Sequence, residues 1–334
     1  MTDKSFKALV VEETDDKKYT RQIRNKTIDD LPPGDVVVEV HYSSLNYKDA
    51  LSASGNKGVT RSYPHTPGID AAGVVVESTD SAFKPKDEVI VTSYDLGMNT
   101  AGGFGEYIRV PGQWVVPLPK GLTLREAMCY GTAGFTAALS VFQLTVHGGI
   151  LPEHGEVLVS GATGGVGSIA VAILSKLGYT VVAVNGLVDA SEYLKEIGAQ
   201  RIISIEEATD QSGRPLLKSC WAGSIDTVGG DILATTIKSV NANGVVTTCG
   251  NVASPELPIN VFPFILRGIS LVGIDSQNCP MPRRLKTWEK LAAEWKIPMM
   301  ETVVEEITLV DLDQAIDRML HGKHKGRAIV NLRA

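Results

Sequence analysis

Four glycines, Gly161, Gly164, Gly165 and Gly167, separate the apolar run Val157-Leu-Val159 from a segment rich in Ala, Val, Ile and Leu that extends to Gly178. Glycines at this density let a backbone turn sharply and approach a ligand closely. The first free amides of a helix opening near Val166 then face an anion, and a pyrophosphate is the natural occupant. The spacing departs from strict Gly-x-Gly-x-x-Gly, because Ala162 stands at the first glycine position and Gly164 and Gly167 at the second and third. Its context is a buried strand before, an apolar helix after and a second apolar run, Thr180-Val-Val-Ala-Val184, that closes a β-α-β unit. The same pattern also describes a tight strand-to-helix turn without a ligand.

That turn has to be held by a sheet, and the chain supplies one. Strand-like runs at 157–160, 180–184, 201–205, 224–228, 244–249 and 270–275 alternate with helical segments, the pattern of a doubly wound parallel sheet. Before it, short strands at 7–11, 35–42, 72–77, 88–93 and 107–111 are bounded by Gly, Pro or Asp, and a charged stretch separates the first two. They predict a compact, barrel-like β-rich lobe. Thr123, with Glu126 three residues on, reads as a capping box that opens a helical region. After residue 276 come helices near 285–295 and 312–320 and a last strand at 327–332. The expected organisation is therefore a β-rich lobe of residues 1–123 and 277–334, with a sheet domain of residues 124–276 inserted.

A length of 334 residues suits two domains. The formal net charge of −6 argues against nucleic acid or an anionic membrane as partner. No apolar run is long enough to span a bilayer, and the first residues lack the apolar stretch of a secretory signal, so a cytoplasmic protein is expected. Cys129, Cys220, Cys249 and Cys279 form no Cys-x-x-Cys pair and read as reduced thiols.

Further local signals narrow the reading: Ser43-Ser-Leu-Asn-Tyr-Lys-Asp-Ala-Leu51, Pro67-Gly-Ile-Asp-Ala-Ala-Gly73, Gly131-Thr-Ala-Gly-Phe-Thr136, Asp226-Thr-Val-Gly229 and Pro263-Phe-Ile-Leu-Arg267. With the glycine turn, they make the chain resemble the acrylyl-CoA reductase and zinc-free quinone oxidoreductase branch of the medium-chain dehydrogenases/reductases, over nearly its whole length. The resemblance implies an α/β protein with a GroES-like catalytic lobe and a Rossmann sheet. Zinc-dependent relatives use an early cysteine and a Gly-His-Glu motif. Here the motif reads Gly68-Ile-Asp70, no cysteine precedes Cys129, and His41 and His65 alone make a poor site, so no metal is expected.

An acid some 20 residues past the turn would accept from a ribose 2′-hydroxyl and repel a 2′-phosphate. The second strand ends instead in Asn185, Gly186 and Leu187. Asn185 can donate to a phosphate, Gly186 leaves room, and Arg201 on the third strand is a candidate for the adenosine end, so NADPH is the expected cofactor. Leu187 stands where related enzymes often carry an arginine, and Asp189 reads as a helix cap. By resemblance, Thr163, Gly164, Gly165 and Val166 bind the pyrophosphate. Tyr47, Asn251, Ile265 and Ser276 lie along the nicotinamide half, and Arg327 matches a cofactor-contacting position. Each has an ordinary alternative: Tyr47 as a packed aromatic, Ile265 as core, Arg327 as a solvated strand end. Asp49 either orients Lys48 or caps a helix.

Three functions follow. The leading one is reduction of a short 2-enoyl-CoA such as acrylyl-CoA by NADPH, with Tyr47 the candidate catalytic residue. The others are an NADPH:quinone oxidoreductase and an NADPH-binding protein without efficient turnover. The resemblance also implies a homodimer, paired through the edge strand at 270–275.

Overall fold

The computed structural model describes residues 4–187, 190–298 and 300–334. They form two compact units, one of Met1–Thr132, Gln277–Ala292 and Val304–Ala334, the other of Ala133–Ser276 and Ala293–Val303.

The β-rich unit begins with a ribbon of β1 (Ser5–Glu13) and β2 (Tyr19–Thr27), antiparallel from Ser5↔Thr27 to Glu13↔Tyr19. The stretch read as a charged spacer is thus itself a strand. Its side chains are largely exposed, so no alternation of apolar residues announces it, and main-chain pairing with β1 holds it in place. β3 (Val36–Leu45) and β4 (Asp70–Ser78) follow, with a seven-residue helix α1 (Tyr47–Ala53) between them. Then come β5 (Glu88–Thr92), β6 (Tyr107–Val110) and β7 (Val115–Pro117). Successive side chains of β3 serve opposite faces, as the pleat requires: Val36, Val38 and Val40 join the main core, while Val37 packs with Phe6, Ile28 and Tyr107.

Helix α2 (Leu124–Phe142) opens at the expected box, where Thr123 N donates to Glu126 Oε2 at 2.9 Å and Glu126 N to Thr123 Oγ1 at 3.1 Å. The division between units falls inside it, after Thr132, later than the 123/124 boundary expected from sequence. Its first half is tied to the β-rich unit: Arg125 Nε donates to Glu306 Oε2 at 2.7 Å, and the Cys129 carbonyl accepts from Arg327.

The second unit carries β8 (Val157–Val159), α3 (Gly165–Lys176), β9 (Val181–Asn185), α4 (Ser191–Glu196), β10 (Arg201–Ser204), β11 (Trp221–Asp226), α5 (Gly230–Ser239), β12 (Val240–Thr248), α6 (Phe262–Arg267) and β13 (Ser270–Gly273). All are parallel, in the order β10-β9-β8-β11-β12-β13. The doubly wound sheet is therefore present, and its order reverses between β8 and β11. The chain then returns to the β-rich unit through α7 (Met281–Ala292), leaves it for α8 (Met300–Val303), and ends with β14 (Val304–Thr308), α9 (Leu312–Leu320) and β15 (Arg327–Asn331). Residues 293–303, expected in the β-rich lobe, belong to the sheet unit because Trp295 meets Phe142 ring to ring, the Lys296 carbonyl accepts from Lys176 Nζ at 2.5 Å and Thr302 Oγ1 donates to Glu196. The seven-stranded sheet of the β-rich unit runs β14-β15-β3-β4-β5-β7, with β6 also on β3.

At the meeting of β3, β4, β15 and the first half of α2 lies a buried polar network. The Asp70 carboxylate accepts from Ser44 Oγ at 2.6 Å, Asn46 Nδ2 at 2.8 Å, Thr132 N at 2.8 Å and Thr132 Oγ1 at 2.6 Å, and Arg327 Nη2 stands 3.9 Å away. Asp49 accepts from the Asn46, Gly68 and Ile69 amides. Burial and the neighbouring Asp70 push its carboxyl up to about 7. Arg327 donates to the Cys129 and Leu45 carbonyls, Asn46 Oδ1 and Ser44 Oγ, and is 2% exposed. The sequence reading made Arg327 a cofactor contact. Its guanidinium is instead enclosed by protein acceptors.

Gly131 passes through this network with φ +51°, and a Cβ there would lie 2.5 Å from Asp70 Oδ2, 2.5 Å from Ser44 Oγ and 2.7 Å from Arg327 Nη2. Gly178 also has positive φ, +85°, but a Cβ there meets nothing within 4 Å. Gly178→Ala should therefore cost about 1 kcal/mol for backbone strain alone, and Gly131→Ala about 3 kcal/mol or more, because it also displaces a buried charge from its donors. Urea unfolding of the two variants checks this, and equal losses would show that the network tolerates displacement.

Candidate active site

The reversal of strand order beside β8 is where a doubly wound sheet opens a crevice at its carboxyl ends. β8 delivers the glycine turn there. Gly161 has φ +60°, and a Cβ on it would fall 2.1 Å from Thr227 Oγ1. Gly167 lets α3 lie against the turn, since its Cβ would meet the Gly161 carbonyl at 2.2 Å. Beneath the turn, Asp226 at the end of β11 accepts from Ser160 Oγ at 2.6 Å, Gly229 N at 3.0 Å and Thr248 Oγ1 at 3.1 Å. One carboxylate thereby fixes the ends of three neighbouring strands, and sequence reading had noted Asp226 only as part of a family signal.

Gly164 is the N-cap of α3 and provides no side chain to the helix end. The first intrahelical bond runs from Ser168 N to the Gly164 carbonyl at 2.9 Å, so the amides of Gly165, Val166 and Gly167 precede the ladder. Thr163 is buried beside them, while Gly164, Gly165 and Val166 are partly exposed. A glycine-rich turn, uncapped amides and the positive end of a twelve-residue helix fit a pyrophosphate.

At the tip of β9, Asn185 Oδ1 accepts from Leu187 N at 2.9 Å. The carboxamide oxygen is thus committed locally, and the NH2 is the group left to meet a ligand. Gly186 is exposed, and a Cβ there would press on Ile205 Cδ1 at 3.2 Å. Leu187 is half-buried, and Asp189 lies outside the described residues. Arg201 does not join this group. It starts β10 opposite Val182, three residues below Asn185↔Ser204, and makes a two-pronged pair with Glu156, Nε to Oε1 at 3.0 Å and Nη2 to Oε2 at 2.6 Å. That is the amino end of the sheet, the end opposite the turn. Strand membership was legible in the sequence, but the end of the strand that Arg201 occupies was misjudged.

Asn251 is exposed in the loop after β12, brought close by Gly250, whose Cβ would lie 2.1 Å from the Thr227 carbonyl. Ser276 follows β13, also at the carboxyl ends, and is half-buried. Ile265 is placed differently. The C-terminal end of α6 is anchored by Arg267 on the Lys238 and Val240 carbonyls, at the amino end of β12. Ile265 is 67% exposed there, in an apolar face with Val261, Phe262 and Leu266. It is not the core residue that was the alternative.

In the β-rich unit, Tyr47 is the first residue of α1 and 52% exposed. Asp49 caps this helix by accepting from Asn46 N at 2.8 Å, and Lys48 Nζ donates to Gln277 Oε1 at 2.7 Å. Asp49 therefore caps and does not orient Lys48. Ile69, at the position where an imidazole would ligate zinc, is 3% exposed. Among the described residues no three His, Cys, Asp or Glu side chains are grouped to hold a metal ion.

Comparison with known proteins agrees with this architecture. Residues 32–120 match the alcohol dehydrogenase GroES-like domain, and residues 165–295 match the zinc-binding dehydrogenase family. The chain is 46% identical to the putative quinone oxidoreductase YhfP of Bacillus subtilis, over 98% of this chain and 99% of that one. The solved structure of YhfP, with NAD bound, superposes with a TM-score of 0.95 over 98% of this chain and 99% of that one, at 45% identity. Identity to acrylyl-CoA reductase AcuI of Ruegeria pomeroyi is 42%, over 98% of this chain and all of that one. The YhdH oxidoreductase of Salmonella enterica, solved with NADP, superposes with a TM-score of 0.94 over 97% of this chain and 99% of that one, at 45% identity. With its two domain types, its strand order and its full-length relatives in agreement, the chain belongs to the medium-chain dehydrogenase/reductase superfamily of oxidoreductases, in the branch of the acrylyl-CoA reductases and quinone oxidoreductases.

Proposed function

We propose that the protein reduces the activated C=C bond of a short 2-enoyl-CoA, such as acrylyl-CoA, using NADPH and no metal. The observation that carries this reading is identity of 42% with an acrylyl-CoA reductase along the whole chain. The aliphatic Ile69 supports it chemically. In the zinc-dependent alcohol oxidations the metal acts as a Lewis acid on oxygen, whereas an enoyl thioester already polarises the carbon that accepts hydride.

NADPH supplies the hydride when bound. The chain's own residues do the rest. The amides of Gly165 and Val166, with Thr163 and Gly164, hold the pyrophosphate at the helix end. The Asn185 amide donates at the 2′-phosphate, with Gly186 leaving space and Leu187 covering one side. Asn251 and Ser276 serve the nicotinamide half. As the β-carbon of the thioester is reduced, negative charge builds on the thioester oxygen, and donors directed at that oxygen lower the barrier. Tyr47, on a helix fixed by Asp49, is the candidate to place the nicotinamide or to donate near the α-carbon.

Steady-state turnover with acrylyl-CoA against a simple quinone tests the substrate assignment. Acrylyl-CoA should have the higher kcat/KM and keep it after treatment with a chelator. A higher value for the quinone would move the assignment to quinone reduction, and no turnover of either would leave dinucleotide binding alone. In the same assay, Tyr47→Phe should stay within a few fold if the ring only places the cofactor. A loss on the order of 10²-fold at unchanged cofactor affinity would assign the hydroxyl to proton transfer.

NADPH should bind more tightly than NADH, and Asn185→Asp should shift the preference toward NADH, because a carboxylate repels a phosphate and accepts from a hydroxyl. The two dissociation constants decide it. Equal affinities in the unaltered protein would remove Asn185 from the argument.

We also propose a homodimer paired through β13. This strand ends the sheet order, and its unpaired edge would otherwise template aggregation. The exposed apolar face of α6 extends the same region. Sedimentation at micromolar concentration should give twice the chain mass, and a monomer would contradict the pairing.

A further inference from the structure

The β-rich unit holds a cavity of about 520 Å³ that none of the dinucleotide-binding groups line. It opens between the β1-β2 ribbon and the segments 64–66 and 99–101. Its volume lies within the range of small-molecule sites, about 300–1,000 Å³.

Of the four charged side chains on its wall, Glu12, Arg24, Lys26 and Asp30, only Glu12 and Arg24 pair by contact. Glu12 is occupied by Arg24, with Nη2 2.5 Å from Oε2. Asp30 is occupied by Thr27, accepting from its amide at 2.6 Å and its hydroxyl at 3.0 Å. Lys26 lines the same cavity, half-buried, and its ammonium makes no hydrogen bond or ion pair among the described residues. A cation withdrawn from water in this way is ordinarily paired. Burial draws the Lys26 pKa down, while Asp30 on the same wall acts against that shift without contacting the ammonium.

A second observation is independent of charge. Thr66, 3% exposed on the cavity wall, has a buried Oγ1 with no hydrogen-bond partner. Such hydroxyls are normally satisfied, and an unsatisfied one costs about 1–3 kcal/mol. Beside it, His65 Nε2 lies 2.9 Å from the Gly97 carbonyl, so Nε2 carries the proton and Nδ1 keeps a lone pair. The cavity wall therefore carries one ammonium without a contact partner and one unpartnered hydroxyl, with His65 beside them.

We propose that this cavity binds a small hydroxy-carboxylate, its carboxylate paired with Lys26 and hydrogen-bonded by Thr66, and a hydroxyl donating to His65. A single lysine neutralises a single negative charge. Arg24, the other cation on the wall, is already held by Glu12, so the second charge of a phosphate dianion would meet no free cation and would face Asp30.

Calorimetric titration of the full chain with lactate, glycerate and gluconate tests the site, with glucose as the uncharged comparison and inorganic phosphate as the simple anion. At least one carboxylate should bind with Kd below about 1 mM, and glucose should not bind. Lys26→Met should weaken binding about tenfold or more while Lys26→Arg retains it. Lys26 takes no part in the proposed reduction, so both variants should keep the unaltered kcat. The proposal is overturned if none of the three carboxylates binds, if glucose or phosphate binds as tightly, or if Lys26→Met leaves affinity unchanged.

Discussion

Two buried carboxylates and one buried guanidinium set the constraint on which the β-rich unit depends. Asp70, Asp49 and Arg327 have almost no access to water, and charges so placed are tolerable only when donors and acceptors surround them. The chain meets that demand with groups from separate elements: Ser44, Leu45 and Asn46 at the end of β3, Gly68 and Ile69 ahead of β4, Cys129 and Thr132 on α2, and Arg327 at the start of β15. Removing a charged member would leave the opposite charge uncompensated, at about 3–5 kcal/mol, whereas losing one neutral donor or acceptor costs about 1–3 kcal/mol. Pairing of this kind adds less to stability than an apolar core would, but it permits few alternative arrangements. Its consequence for chemistry is local. Asp49 caps α1, and α1 presents Tyr47 as its first residue.

The sheet unit uses a carboxylate in the same way and to a different end. Asp226 gathers Ser160, Gly229 and Thr248, so the ends of β8, β11 and β12 are held together beneath the glycine turn. Burial raises the Asp226 pKa, and those donors pull it back. Because side chains secure the framework, the amides at the start of α3 are not needed for it. Gly161, Gly167 and Gly250 belong to the same design, each at a place where a methyl group would strike a neighbouring atom at 2.1 to 2.2 Å.

Much of this was legible in the sequence, and the exceptions share a cause. Alternation and apolar runs located nearly every strand of the sheet, and the Thr123–Glu126 box marked the start of α2. β2 was missed because a ribbon exposed on most positions has no apolar face to reveal it. Segment 293–303 was misassigned because its membership rests on Trp295, Lys296 and Thr302 meeting distant partners. Asp70 showed as part of a motif, yet nothing in its neighbours' identities states that five groups converge on it. Arg327 and Arg201 are the instructive errors. An arginine suggests an anionic ligand wherever one is expected, and both proved to be matched by the protein itself, Arg327 by carbonyls, hydroxyl and carboxamide, Arg201 by Glu156.

The loss of those two arginines concentrates the question of cofactor choice on a short segment. A helix end with free amides binds the pyrophosphate common to both dinucleotides, so the cradle cannot discriminate between them. Discrimination has to come from the tip of β9, where the two differ by a phosphate. There the Asn185 oxygen accepts from Leu187 N, which leaves the NH2 as the donor directed away from that bond. A neutral donor favours the phosphate more weakly than a charged one would. Relatives equally similar to this chain have been solved with NADP and with NAD. On the proposed reading, a common cradle with a lightly built selector accounts for both: the turn would supply the affinity, and a few side chains after the second strand would decide which dinucleotide receives it.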